Sequence, residues 1–191
     1  PSTSKGLFLK AGIDVAGHAL NLLYAISDAT RDSLGRYTFF GVPFSQYIRP
    51  RVDIRYGLNM ASHSNLVGRF SAGVGIPVGN SDILPYIKQF YVGGTNSLRS
   101  FIARSVGPGS EVPPSGYNDV TGDIRLEANL EYRFPISGTL YGALFTDAGN
   151  IWLFNEDPSR PNGTFRFNTF MNEIAVSAGW GLRWDFDFLV A

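Results

Sequence analysis

Between residues 123 and 134 the chain alternates without a break. Asp123, Arg125, Glu127, Asn129, Glu131 and Arg133 are polar, while Ile124, Leu126, Ala128, Leu130, Tyr132 and Phe134 are apolar. A period of two places the two sets on opposite faces of a β-strand. Residues 173–188 repeat the pattern, with Ile174, Val176, Ala178, Trp180, Leu182, Trp184, Phe186 and Phe188 opposing Glu173, Ser177, Arg183, Asp185 and Asp187. Four further segments, 6–17, 45–58, 66–78 and 140–152, follow the same template with more exceptions. Six strands are predicted. Pro50 lacks an N–H and should mark a bulge or a local loss of ladder pairing in the second. The segments are long beside the roughly 5 to 6 residues usual in soluble proteins.

The connections alternate in length: long over 18–44, short over 59–65, long over 79–122, short over 135–139 and long over 153–172. An antiparallel up-and-down meander would gather the long loops at one end and the short turns at the other, the layout of an outer-membrane barrel. A soluble sandwich would instead pack the apolar face on a second sheet, with strands of ordinary length. Strand length favours the barrel, because a tilted membrane crossing needs about 9 to 11 residues. The apolar face then meets the lipid bilayer and the charged face lines the interior. Ile124, Leu126, Leu130, Ile174, Val176, Leu182 and Trp184 are expected toward lipid, and Tyr56, Tyr132, Phe134, Trp152, Trp184, Phe186 and Phe188 in the interfacial girdles. Taken alone, six strands would leave two open edges, so the fold expected is an incomplete transmembrane β-barrel.

Composition sharpens this picture. Among 191 residues, 16 Lys+Arg balance 16 Asp+Glu, so no long-range field recruits nucleic acid. Charged residues are 17% and hydrophobic ones 44%, which argues against disorder. There is no Cys, so disulfides and thiolate metal sites are excluded, and no metal or other cofactor is expected. Thirteen of the 16 basic residues are Arg, several beside carboxylates on charged faces, as in Arg125 with Glu127 and Arg183 with Asp185. Planar, bidentate pairing suits a crowded interior.

Candidate chemistry is sparse. His18 and His63 stand at a loop start and in a short turn, without Ser or Asp partners at a useful spacing. The glycines of 73–79 have the wrong spacing for a dinucleotide loop. Asn162-Gly163-Thr164 reads as a turn, and Glu156-Asp157 as a solvated pair. No enzyme is visible.

The longest connection contains Gln89-Phe90-Tyr91-Val92-Gly93-Gly94-Thr95-Asn96-Ser97-Leu98-Arg99-Ser100-Phe101. It resembles the sixth extracellular loop of the bacterial surface antigen, or outer-membrane protein insertase, superfamily. Two more stretches follow in the family's order: Glu131-Tyr132-Arg133-Phe134-Pro135 with Phe145-Thr146-Asp147-Ala148-Gly149-Asn150-Ile151-Trp152, and Gly179-Trp180-Gly181-Leu182-Arg183-Trp184-Asp185-Phe186. With Asn80-Ser81 and Ala143-Leu144-Phe145 the likeness is nearest to the translocation-and-assembly-module lipoproteins. Ser100 departs from the Gly usual in the family.

The resemblance implies a sixteen-strand barrel, of which these six strands would be the ninth to fourteenth, all of 1–191 being barrel. It implies that loop 79–122 folds into the lumen, with Gly93, Gly94 and Asn96 shaping its backbone. Arg99 and Phe101 would lock against Glu131 and Asp147. Arg99 between two acids also suits the strand pattern, since Glu131 lies on the charged face and Asp147 interrupts an apolar run. The implied role is a non-enzymatic factor that helps insert or translocate proteins at the bacterial outer membrane. Its partners would be nascent outer-membrane proteins, the missing strands and periplasmic domains, and an inner-membrane-linked protein. A secretion pore, the barrel of a patatin-like lipase fusion and an adhesive barrel are the alternatives.

Overall fold

Alternation of side chains becomes one antiparallel sheet whose long strands follow each other in chain order. A computed structural model of the chain describes residues 6–27, 29–61, 63–112, 119–186 and 189–190. The long strands are β1 (Gly6–Ala16), β4 (Tyr47–Ala61), β5 (Ser64–Val74), β7 (Ile124–Ser137), β8 (Leu140–Trp152) and β9 (Ala175–Phe186). Short elements complete the chain: helix α1 (His18–Ile26), a hairpin of β2 (Thr38–Phe39) and β3 (Val42–Pro43), β6 (Ile76–Pro77) and β10 (Leu189–Val190). The order across the sheet is β1-β4-β5-β7-β8-β9-β10, with β6 on β4, and β1 and β10 stand at its two ends. It is an open sheet, as an incomplete barrel requires. Asp187 and Phe188, expected on the charged face and in a girdle, lie outside the described residues.

Three long connections leave the same end of the sheet. Ala16 pairs with Tyr47, Ile48 with Ile76, and Ile124 with Trp152 at that end. Tight turns close the other end, where His63 (φ 72°) and Gly138 (φ 55°) adopt the left-handed conformation. The strands run further into these turns than the sequence suggests. Pro135 pairs with Tyr141, and Ile136 is then skipped before Ser137 meets Leu140. Met60 is likewise skipped between the Asn59↔Asn65 and Ala61↔Ser64 pairs. Each short turn is therefore approached through a one-residue bulge.

At Pro50 the ladder opens without a bulge. Ile48↔Ile76 and Arg51↔Gly73 keep one register across the gap, while on the β7 side Gly75 N–H donates to Asp123 O at 2.6 Å. On its other side Pro50 stays in register with Ile13.

The two faces differ as the alternation requires. Leu9, Ile13, Leu130, Val176, Trp180, Leu182 and Trp184 are exposed on the apolar face, a continuous band that a water-soluble protein would cover. Ile124 and Leu126 are half-buried there, and Ile174 is the extended residue between the 3-10 turn Phe170–Glu173 and β9. Burial concentrates on the charged side, where the 75–123 connection brings Phe90, Val92, Leu98, Val106 and Val120 over the sheet against Ile151.

Trp152 corrects the girdle assignment. It is fully buried, edge-on to Phe165 and Phe170, and its indole N–H donates to Glu173 Oε2 at 2.6 Å. The connection after β8 folds back over its own strand end, so this aromatic serves a loop core. Tyr56, Tyr132 and Trp184 remain exposed near the short-turn end.

Candidate functional site

Local backbone chemistry turns residues 92–104 back on themselves. Gly93 and Gly94 have φ of 97° and 90°, and a Cβ on Gly93 would lie 2.2 Å from Ile102 O, so the close return requires glycine there. Gly94 N–H donates to Phe101 O (2.8 Å), Arg104 N–H to Val92 O (2.9 Å), and Gly93 N–H to Ser97 Oγ (3.0 Å). Ser100 is exposed and is not among the left-handed residues, so the turn at this position does not need the family's Gly.

The hairpin presents Leu98 and Arg99 to the sheet. Leu98 is fully buried, and half-buried Phe101 packs on the same cluster. Arg99 approaches Asp147 with its backbone N–H and Nε on Oδ2 (both 2.9 Å) and Nη2 on Oδ1 (2.7 Å). Its Nη1 donates to Glu131 Oε2, and its guanidinium lies 3.8 Å from the centre of the Phe145 ring. Asp147 is fully buried and receives a fourth donor, Asn129 Nδ2, on Oδ1 at 2.9 Å. The other oxygen of Glu131 takes Arg133 Nε (2.7 Å) and Arg183 Nη2 (2.8 Å). Two carboxylates are thus met by three guanidiniums, and the forked donors fix orientation as well as charge.

A second set of contacts clips the loop sideways. Asn129 Nδ2 also donates to Ser97 O (2.7 Å), and Arg69 Nη1 donates to Asn96 O (3.0 Å) while binding Glu127 (2.6 Å). Asn96 acts through its carbonyl, and its residue is exposed. Further out, Arg104 binds Asp119 (2.7 Å) and the Tyr86 hydroxyl. The Tyr86 hydroxyl and then the Arg104 guanidinium hold the Asp119 carboxyl below the usual range.

The structure therefore brings Arg99, Glu131, Asp147 and the 93–101 backbone together, with Phe101 beside them. Asn129, Arg69, Arg133 and Phe145 belong to the same arrangement and were not assigned to it from sequence, and Arg183, expected beside Asp185, joins it through Glu131. Their signal was available as the odd-numbered positions of the alternating strands, opposite one another once the register is known. Arg125 does not pair along its strand with Glu127, which belongs to Arg69; it turns to Ser71 Oγ at 2.7 Å. Elsewhere Gly73 and Gly75 make room for Phe90 and Leu84, His18 opens α1 with Nδ1 2.9 Å from Ala16 O, and Gly163 closes a turn onto Arg160. Among the described residues no group of His, Cys, Asp and Glu could hold a metal ion.

Comparison with known proteins places this geometry. A family model described as the Omp85 superfamily domain matches residues 6–188. The outer membrane protein assembly factor BamA of Nitratidesulfovibrio vulgaris is 31% identical over 140 residues, covering 72% of this chain and 16% of that protein. BamA of Neisseria meningitidis serogroup B is 25% identical over 130 residues, covering 59% of this chain and 16% of that protein. The chain thus spans about a sixth of the length of these relatives. The crystal structure of BamA from Haemophilus ducreyi lacking POTRA domains 1–3 superposes with a TM-score of 0.58 at 21% identity, over 72% of this chain and 29% of that one, a likeness of fold.

Proposed function

The chain belongs to the Omp85 superfamily of bacterial outer-membrane proteins, and on that premise we propose that it forms part of the wall of a non-enzymatic barrel that helps nascent outer-membrane proteins fold and insert. The observation that carries this reading is the bidentate grip of Arg99 on Asp147, shared with Glu131. A loop tied by charge to strands β7 and β8 braces the wall from within. Such a brace suits a protein whose working part is an edge elsewhere in the barrel, where a client strand pairs by ordinary strand addition. Residues 79–122 are the lumenal loop in this proposal, and residues 1–191 are one part of the barrel.

The partners proposed are the bilayer, nascent outer-membrane proteins, the rest of the barrel and its periplasmic domains, and an inner-membrane-linked protein. Asn80, Ser81 and 143–145 carry the finer proposal that the chain is of the translocation-and-assembly type. A secretion pore would need the loop to clear the lumen, and anchorage to the strands at Asn96, Ser97 and Arg99 favours the assembly reading over it.

The experiment is reconstitution of the full-length protein in liposomes, followed by insertion of an unfolded porin scored by protease protection. Arg99→Ala should lower the insertion rate at least tenfold with the barrel still folded on a cold gel. An unchanged rate would remove the brace from the mechanism.

A further inference from the structure

We propose that the charged face between β1, β4, β5 and β7 holds a binding site for a phosphoryl oxyanion. The site is a cavity of about 320 Å³ whose lining includes Lys10, Arg49, Arg51, Ser71, Phe90 and Arg125, together with one carboxylate, Asp53, in register with Lys10. Its position is distinct from the Arg99 lock, and the proposal does not depend on the assembly role.

Charge in this cavity is unbalanced. Arg49 and Arg51 share one carboxylate, Asp14, at 2.9 and 3.3 Å. Asp53 is engaged by Arg55 and Arg69, and Glu127 by Arg69. Among the described residues no ion pair joins Lys10 or Arg125 to a carboxylate. Four cations therefore converge where one carboxylate is left to answer them. The Nε atoms of Arg49 and Arg125 are buried and lack a hydrogen-bond partner among the described residues. A buried donor on a charged group is costly to leave unmet, so these two N–H groups mark acceptor positions that a ligand would fill.

The cavity is also shaped by omission. Gly73 sits in register with both Arg51 and Arg125, and a Cβ there would come within 2.5 Å of the Phe90 ring. A Cβ on Gly12 would lie 3.1 Å from Arg51 Nε. Gly73 lets Phe90 come close to the sheet, with Arg49 at 4.0 Å and Arg125 at 5.3 Å from its centre. The ring's negative face steadies two like-charged guanidiniums side by side, but an aromatic quadrupole does not cancel their charge. A tetrahedral phosphoryl group does, and its several oxygens match convergent guanidinium forks better than a single carboxylate. The volume exceeds a bare phosphate and admits a pyrophosphate or the phosphate of a lipid headgroup.

The test uses the full-length protein in a phosphate-free nonionic detergent, titrated calorimetrically with pyrophosphate at low and moderate salt. One saturable site is expected. Arg125→Gln should weaken it at least tenfold, and Lys10→Gln, an exposed side chain whose loss leaves no buried charge, by about threefold. Arg166→Gln, which removes the same charge from an exposed loop, should change nothing. Displacement of pyrophosphate by micellar phosphatidylglycerol, but not by neutral lipid, would assign the source to a headgroup; displacement by inorganic phosphate alone would assign it to a free ion. Absence of saturable binding would overturn the proposal, as when acidic side chains from the rest of the barrel fill the cavity. So would equal weakening by Arg166→Gln, which would reduce the effect to net charge.

Discussion

The charged face has two halves made of the same residue types and finished differently. On β7 to β9 the acids Glu131 and Asp147 face the loop, and the loop delivers a cation, Arg99. Where β1, β4, β5 and the start of β7 lie side by side, the cations Arg49, Arg51 and Arg125 face it, and the loop delivers an aromatic ring, Phe90. One connection is therefore complementary to both halves, by full charge in one place and by a ring quadrupole in the other. The difference matters because a guanidinium between carboxylates closes its site, whereas a ring beneath guanidiniums leaves their charge for something else to meet.

The comparison breaks most severely at Arg99. Arg99→Ala would leave fully buried Asp147 with Asn129 and the backbone N–H of residue 99 but no cation, at a cost of about 3 to 5 kcal/mol for an uncompensated buried charge. Loop 79–122 should become sensitive to limited proteolysis while the strands stay protected, and an equally resistant loop would show that its apolar cluster suffices. Arg99→Lys should recover only part of the loss, since an ammonium cannot reproduce the fork.

Gly73→Ala attacks the other half. The added methyl must displace the Phe90 ring, an overpacking cost of about 1 to 3 kcal/mol. Proteolysis should open the loop near residue 90 while the Arg99 end stays docked, and simultaneous loss of both ends would show that the halves are one unit.

Ser100→Gly tests the departure from the family pattern. Because Ser100 is exposed and not left-handed, the change should alter thermal stability by less than about 1 kcal/mol, the entropic cost of glycine. A clear gain in stability would mean that Ser100 is strained.

The smallest effect concerns neither half and serves as their baseline. Asp157 accepts from Ser159 and Arg160, and those donors lower its pKa from 3.8 to about 2. A lowered folded pKa means that its contribution is complete above pH 3.8 and is lost as pH falls through about 2. Hydrogen exchange at Arg160 and Gly163 should therefore rise only in that acid window, and a rise at pH 5 would contradict the assignment.

The strands were legible because alternation is local and fixes two faces, whereas Arg99 was legible through the resemblance of its loop motif, its acids lying 32 and 48 residues further along the chain. The ionic partners were less legible because register, which residues do not print, chooses them. Arg125 and Glu127 look paired along the strand, yet Arg69 on the neighbouring strand takes Glu127. Trp152 misled for a related reason. An aromatic at a strand end suits a membrane girdle until the following connection returns Phe165 and Phe170 to cover it. Helix α1 gave no warning, being a short apolar stretch whose first turn lacks acids and whose last lacks bases.

The skipped residues Met60 and Ile136 amount to an arithmetic of odd and even. Two-residue turns on a regular ladder would set odd-numbered positions of one strand against even-numbered positions of the next. Asp147 would then look outward while Glu131 looked inward. One supernumerary residue before each turn restores the match, so that Asn129 meets Asp147 and Asn59 meets Asn65. Deleting Ile136 would let Pro135↔Tyr141 and Ser137↔Leu140 follow one another directly, with every face kept. Deleting a residue in the middle of β7 would turn over all that lies on one side of it. The two tips are thus the places where this wall can lose a letter and still spell the same inside and outside.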